Sequence, residues 1–298
     1  MGRLTVRVLG SAAGGGFPQW NCQCPVCALA WAGDARVKPR TQAGIAISAG
    51  SRWTLVNASP DLGQQIRNTL DLHPQRGARG SPIDAVVLTG AEIDQIAGLL
   101  SLREGTPFSL YATPASHAAV ASNAMCGALS AMARRAINPG ERFMLAGDIA
   151  ANLFAVPGKA PLYLEGEAPE PASESAGNVG IEFERAGIRV AFVPGAAAVS
   201  PVMLERFAKA DVILFDGTLF ADDEMLRLGL GTKTGRRMGH MPIDGADGSL
   251  EALQGLRARR IFIHINNSNP ILVEGSPERA RVAAAGWEVA EDGMEIVL

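Results

Sequence analysis

Histidine is scarce in this 298-residue chain, which carries only His73, His117, His240 and His264. A two-metal hydrolytic clamp of the phosphodiester or lactam kind needs more imidazoles than these, which argues against that chemistry. An excess of one charge is also missing. Lysine and arginine number 27 against 30 acidic residues, a net charge of −3, so nothing resembles the basic footprint of a nucleic-acid binder. Long apolar runs are absent because Gly, Pro or a charge interrupts every candidate, which excludes a membrane span. The first residues lack the apolar stretch of an export signal, and from Leu4 to Leu9 they alternate like a strand. No internal repeat and no linker-like stretch breaks the chain, so residues 1–298 read as a single domain with ample length for a core. The composition, 47% hydrophobic and 19% charged, is that of a soluble globular protein. Nothing in the pattern fixes an oligomeric state.

Cysteine is limited to four residues, and three of them fall within one short loop, Asn21-Cys22-Gln23-Cys24-Pro25-Val26-Cys27. Sulfurs spaced i, i+2 and i+5 around a proline can turn toward one point, which suits a soft tetrahedral cation such as Zn²⁺. A disulfide between such close neighbours is geometrically awkward and leaves one thiol over. The loop 21–27 therefore predicts a structural zinc knuckle; the rival reading is a cluster of free, buried cysteines. Thiols without an export signal predict a reducing, cytoplasmic setting.

Short apolar or β-branched runs at 6–9, 44–48, 53–56, 85–88, 188–193, 212–215 and 261–263 predict strands. An Ala-rich stretch at 114–135, opened by Thr113 and Pro114, predicts a helix, as do 61–69, 94–103, 201–209 and 277–285. Residues 165–177 are polar and Pro-rich and read as a loop or mobile flap. This mixture is of the α/β or α+β kind, either two sheets covered by helices or one large mixed sheet. Gly14-Gly15-Gly16 after the first strand does not match the dinucleotide fingerprint and runs into the cysteine loop instead. The glycines read as room for close approach of backbone to backbone or to a ligand.

Three apolar strands stop at a group that can bind metal: 85–89 leads to Asp94, 212–215 ends at Asp216, and 261–263 ends at His264. Strand ends are where catalytic groups converge on a rigid scaffold. Each has a duller explanation: Asp94 caps a helix, Asp216 fixes a turn with Gly217, His264 is a satisfied core residue. His240, in Gly239-His240-Met241-Pro242 after a turn-prone stretch, reads as a loop-borne acid or base, or as structural. His73 and His117 read as surface residues, and Cys126 as a small buried hydrophobe.

Several stretches together resemble the coenzyme PQQ synthesis protein B family, nearly end to end. They are the Gly-rich and cysteine motif at 8–27, Asn57-Ala58-Ser59-Pro60-Asp61, Leu214-Phe215-Asp216-Gly217-Thr218, Gly231-Thr232-Lys233-Thr234-Gly235 with Met238-Gly239-His240, and His264-Ile265-Asn266-Asn267 continuing to Asn269-Pro270. The resemblance implies a metallo-β-lactamase-like αββα four-layer sandwich of two mixed sheets flanked by helices. The signature of that superfamily, Thr-His-x-His-x-Asp-His, corresponds here to Thr89-Gly90-Ala91-Glu92-Ile93-Asp94-Gln95, without the first two histidines. The family keeps an Asp-His pair and the late strand-end histidine, matched by Asp94, position 95 and His264. That set implies a mononuclear Fe(II) site and iron-dependent hydroxylation of the tyrosine ring in a Glu-Tyr precursor. Position 95 is Gln, a poorer donor than imidazole.

Three readings stay open: Fe(II) held weakly with Gln95, or with Asp216 or His240 substituting; a diverged, non-catalytic binder of PQQ or its precursor; or an introduced exchange. On the enzymatic reading His240 shuttles protons and Asp216 orients it. The resemblance also implies structural zinc on Cys22, Cys24 and Cys27. Related phosphodiesterases supply a histidine three residues after the strand-end one, where this chain has Asn267, so the fourth ligand stays open.

Overall fold

The computed structural model describes residues 2–75, 77–159 and 173–298, with side chains from 177 onward in the last stretch. Six of the seven runs expected to be strands lie within observed strands, and the run at 85–88 passes the end of its strand by one residue, Leu88; seven further strands among the described residues complete two sheets. In chain order, β1 (Thr5–Gly10), β2 (Gly44–Ser48), β3 (Trp53–Val56), β4 (Ile83–Val87), β5 (Phe108–Ala112) and β6 (Met132–Ala136) build one sheet. The other holds β7 (Arg142–Leu145), β8 (Ile149–Gly158), β9 (Ser173–Arg185), β10 (Ile188–Val193), β11 (Val212–Asp216), β12 (Arg259–Ile263) and β13 (Trp287–Val289), while β14 (Glu295–Val297) returns to the first. The spatial orders are β14-β1-β2-β3-β4-β5-β6 and β13-β12-β11-β10-β9-β8-β7. Both sheets are mixed: β3 to β6 and β10 to β13 run parallel, and the remaining pairs are antiparallel.

The helices are α1 (Pro25–Trp31), α2 (Leu62–Asn68), α3 (Ile93–Ile96), α4 (Pro114–Ser122), α5 (Pro201–Phe207), α6 (Glu224–Arg227), α7 (Ser249–Ala252) and α8 (Pro277–Ala284). Alternation along the strands sends side chains to both faces, and three buried clusters result. Val6, Ile45 and Ile47 of one sheet meet Leu153, Phe183 and Phe192 of the other between the sheets. Leu55, Val86 and Leu110 pack outward on Leu62 of α2 and Val120 of α4. Ile213, Phe215 and Phe262 pack outward on Met203 and Phe207 of α5, Val282 of α8 and Cys27 of α1. Helix, sheet, sheet and helix thus stack as the αββα sandwich. Each fully buried Phe or Leu side chain adds about 1.5–3 kcal/mol.

Several local expectations need correction. The helix expected over 114–135 stops at Ser122: Asn123 leaves helical geometry and its side chain accepts from the Met125 N–H, opening a 3₁₀ turn. Residues 132–136 then join β5 as a parallel edge strand, so sheet pairing overrides the Ala-rich composition. The helix expected over 94–103 is one α-turn followed by 3₁₀. Asp94 is not its cap; Glu92 holds that position. Of the expected flap, 173–177 belong to β9, and 165–172 lie outside the described residues. His117 is buried, its Nε2 at 3.1 Å from the Arg135 carbonyl, because α4 lies over the end of β6. Cys126 is buried as expected, and burial pushes its thiol pKa up. Among the described residues no helix is long and apolar enough to cross a membrane.

Candidate metal centre and cysteine knuckle

The C-terminal ends of β4, β11 and β12 converge on one cavity of about 490 Å³, lined among others by Asp94, Gln95, Thr218, His240 and His264. Ligands of sheet proteins bind at such ends because the loops there are free to carry polar groups while the strands stay buried. His264 follows β12 directly and has φ +57°, a left-handed conformation that is costly for a side chain with a Cβ. Neighbouring backbone bonds hold that turn: Gly217 N–H to the Ile263 carbonyl at 2.7 Å, Ile265 N–H to Ser11 at 2.9 Å, and Asn266 N–H to Thr218 at 3.0 Å.

Thr218 sits between the two histidines. Its hydroxyl donates to Asp216 Oδ1 at 2.6 Å, leaving its lone pairs toward His264 Nδ1 at 2.9 Å and His240 Nδ1 at 3.0 Å. Asp216 is fully buried, yet both oxygens are satisfied: Oδ1 also accepts the Thr218 N–H at 3.0 Å, and Oδ2 accepts the Ala196 N–H at 2.9 Å and His240 Nδ1 at 2.8 Å. Burial opposes its charge, but His240, as a positive neighbour and hydrogen-bond donor, holds its pKa below the usual carboxylate range. Engagement of both Nδ1 atoms leaves each Nε2 on the side away from Thr218. The two rings stack, 5.1 Å between centroids and 18° from parallel.

His264 Nε2 faces Asp94 Oδ2 at 2.9 Å. For both groups burial is the largest influence and works against charge, but their mutual hydrogen bond and the attraction of neighbouring opposite charges together outweigh it, lowering the Asp94 pKa and raising that of His264. The sequence-predicted Asp94, Asp216, His240 and His264 are therefore brought together, and ligand atoms of the last three lie within 4.8 Å of one another. Gln95 lines the same cavity with its amide engaged elsewhere. Its Oε1 accepts the Glu92 N–H at 3.0 Å, and its Nε2 donates to Thr89 Oγ1 at 3.3 Å. The amide lies so close to Gly90 that a Cβ there would collide with it. Carboxylates and imidazoles on one cavity wall, with Nδ1 atoms already bonded, form a donor set suited to a divalent first-row ion.

About the knuckle, Cys24 and Cys27 are buried and Cys22 half-buried, with no disulfide among them. Cys24 caps α1, its Sγ accepting the Cys27 N–H at 3.4 Å, and Pro25 fills the first helical position. Cys22 Sγ accepts the Cys24 N–H at 3.4 Å. The three sulfurs lie within 4.8 Å of one another. Burial, with some help from the neighbouring thiols, pushes the Cys24 pKa up to about 12, so thiolates there require a cation. The roles of Thr218 and Asn267 were not foreseen. The signal for Thr218 was its place directly after Asp216-Gly217, and for Asn267 its spacing from His264.

Residues 52–265 match a family model described as a β-lactamase superfamily domain. Coenzyme PQQ synthesis protein B of Methylorubrum extorquens is 51% identical over 299 residues, covering 99% of this chain and all of that protein. The chain belongs to the coenzyme PQQ synthesis protein B family. The crystal structure of Zn(2+)-bound PqqB from Methylobacterium extorquens superposes with a TM-score of 0.97 at 50% identity, covering 99% of this chain and 100% of that one. A diphosphatase from the PhnP family superposes at 0.69 with 20% identity, covering 99% of this chain and 97% of that one, which extends the shared fold beyond the PQQ synthesis family. As a member of that family, the chain is a PQQ biosynthesis protein on a metallo-β-lactamase-like scaffold.

Proposed function

We propose that this chain hydroxylates the tyrosine ring of a Glu-Tyr precursor of PQQ, using Fe(II) held by Asp94 and His264 and completed by His240 in place of Gln95. The observation that carries this reading is the direct meeting of Asp94 Oδ2 and His264 Nε2 at 2.9 Å on the cavity wall, beside the stacked ring of His240. A carboxylate and imidazoles on one face are the donors of non-haem oxygenases. Bound Fe(II) supplies the activation of O₂. Overall, one oxygen atom enters a ring C–H bond, the other leaves as water, and an external reductant supplies two electrons.

The chain's own groups do the remaining work. Asp216 accepts the Nδ1–H of His240 and fixes its tautomer, leaving Nε2 to ligate. Thr218 does the same for His264. Gln95 braces the α3 turn that carries Asp94. Zinc on Cys22, Cys24 and Cys27 staples the loop at 21–27 to the segment after β12; likeness to a zinc-bound relative at 50% identity supports it. Free thiols in that loop fit the reducing cytoplasm.

Anaerobic reconstitution with Fe(II), then O₂ and a reductant with a Glu-Tyr dipeptide, tests the reading. Hydroxylated product dependent on iron supports it; stoichiometric zinc at the cavity with no iron uptake and no product ends it. The engaged amide of Gln95, which withdraws one ligand of the family's expected triad, favours a second reading, a non-catalytic binder or carrier of PQQ or its precursor. A quinone chromophore retained through purification, without turnover, distinguishes it.

A further inference from the structure

We propose that Asn266 reads the phenol of the substrate: its side-chain Oδ1 accepts the tyrosine O–H and so sets which ring C–H faces the wall formed by Asp94 and His264. This rests on the reading that the cavity takes a Glu-Tyr precursor. Asn266 lines that cavity together with Thr218, Met225 and His264. Its backbone is fixed on both sides, the N–H on the Thr218 carbonyl at 3.0 Å and the carbonyl on the Asn269 N–H at 3.0 Å.

The amide is held from behind. Its Nδ2 donates to Ser268 Oγ at 2.6 Å and lies 3.4 Å from Met225 Sδ. Ser268 Oγ in turn donates to Glu224 Oε1 at 2.5 Å, so its lone pairs are what it offers Asn266. Met225 Sδ has no proton to give and also calls for a donor. Both neighbours therefore select the NH₂ end of the amide, which settles its orientation from the network. Oδ1, on the other arm, takes no hydrogen bond among the described residues and is left for the cavity. Ser268 and Glu224 are buried. Glu224 closes its own turn by accepting the Phe220 N–H, and its bond to Ser268, 44 positions away, carries that support to the cavity wall. Both are positioning residues for Asn266.

Among the donors of a Glu-Tyr dipeptide, the phenol O–H belongs to the ring that must reach Asp94 and His264. The α-ammonium is cationic and is better matched by a carboxylate, which Glu92 supplies in the same cavity. A neutral amide oxygen suits the neutral hydroxyl. A site with an oriented acceptor also rejects the analogue that lacks the hydroxyl, because the acceptor is then left unpaired.

The test measures binding, not turnover. Glu-Tyr and Glu-Phe are titrated calorimetrically into the full chain, as purified and held without oxygen. One neutral hydrogen bond is expected to favour Glu-Tyr by about fivefold or more in wild type. Asn266→Leu keeps the branched shape and removes both polar ends. It should bring the two peptides within about twofold of each other, by weakening Glu-Tyr and leaving Glu-Phe unchanged. Ser268→Ala frees the amide to turn and should lose part of the preference. A merely structural role for Asn266 would weaken both peptides alike and keep the preference, which overturns the proposal. Equal affinity of wild type for the two peptides also overturns it, and leaves the hydroxylase reading standing. If Asn266→Leu does not fold, Ser268→Ala decides by the same ratio. Wild-type protein that binds neither peptide overturns the Glu-Tyr reading itself, and this proposal with it.

Discussion

His264 and Asn267 stand three residues apart on one turn and face two different centres. The imidazole meets Asp94 at 2.9 Å in the cavity, while the amide lies over the sulfurs of Cys22, Cys24 and Cys27. Backbone bonds from Ile265 to Ser11 and from Asn266 to Thr218 hold the intervening residues. Displacement of either end is thereby felt at the other.

Stripping the knuckle metal should destabilise the whole chain. A ligand present at about a thousand times its dissociation constant adds about 4 kcal/mol to a folded state that alone binds it. Denaturant titration of zinc-loaded protein with and without a strong chelator should show a loss of this order. Cys27→Ser should show a similar loss and no further response to chelator. Insensitivity to chelator would mean that the thiol cluster packs as ordinary buried core.

The division of labour between Gln95 and His240 predicts opposite outcomes for two truncations. Gln95→Ala removes the bonds to Glu92 and Thr89, costing about 1 kcal/mol of stability, while iron affinity stays within about threefold, since less than ~0.7 kcal/mol separates such constants. His240→Ala should lower iron affinity by about tenfold or more, whatever its effect on stability. Anaerobic iron titration followed by unfolding curves measures both. An affinity loss in the Gln95 variant equal to that in the His240 variant would return position 95 to the ligand set.

Thr218→Val keeps the shape and removes the hydroxyl. Asp216 Oδ1 then loses its 2.6 Å donor, and both Nδ1 atoms lose an acceptor. A buried acceptor left short costs about 1–3 kcal/mol, and the His264 ring is then held by Asp94 alone. Thr218→Ser should recover most of the stability and of the metal affinity. Equal behaviour of the Val and Ser variants would show that the hydroxyl positions nothing.

The strand ends were legible in the sequence because an apolar run that stops at Asp216 or His264 needs no tertiary information to recognise. The knuckle was legible for a similar reason, its three cysteines lying in one loop. What escaped depends on distant chain segments. Asn267 is 243 positions from Cys24, and only the folded sandwich brings the loop at 21–27 over the end of β12. Thr218 acquires its role only because β11 and β12 are neighbours, so that two histidines 24 residues apart share one hydroxyl. Gln95 looked like a degraded ligand because position in a motif was visible and the direction of its amide was not. The 114–135 stretch failed differently: its composition favours helix, and pairing with β5 overrode it.

Glu224 gives the pH dependence a definite sign. It is buried at the start of α6, where Ser268 Oγ–H donates to Oε1 at 2.5 Å and the Phe220 N–H to Oε2 at 2.9 Å. Burial outweighs these bonds and raises its pKa above the ordinary glutamate value of 4.5. Between the ordinary value and the raised one, the folded chain keeps a proton that the unfolded chain has released. Stability therefore falls as pH rises through that window, and the penalty is complete above the folded value. Glu224→Gln cannot ionise and escapes it. Urea unfolding of both proteins from about pH 4 to about pH 8 should show the Gln variant gaining on wild type as pH rises, then a plateau. A difference that is flat across the range would mean that Glu224 titrates alike in both states, and that Ser268 and Phe220 offset its burial in full.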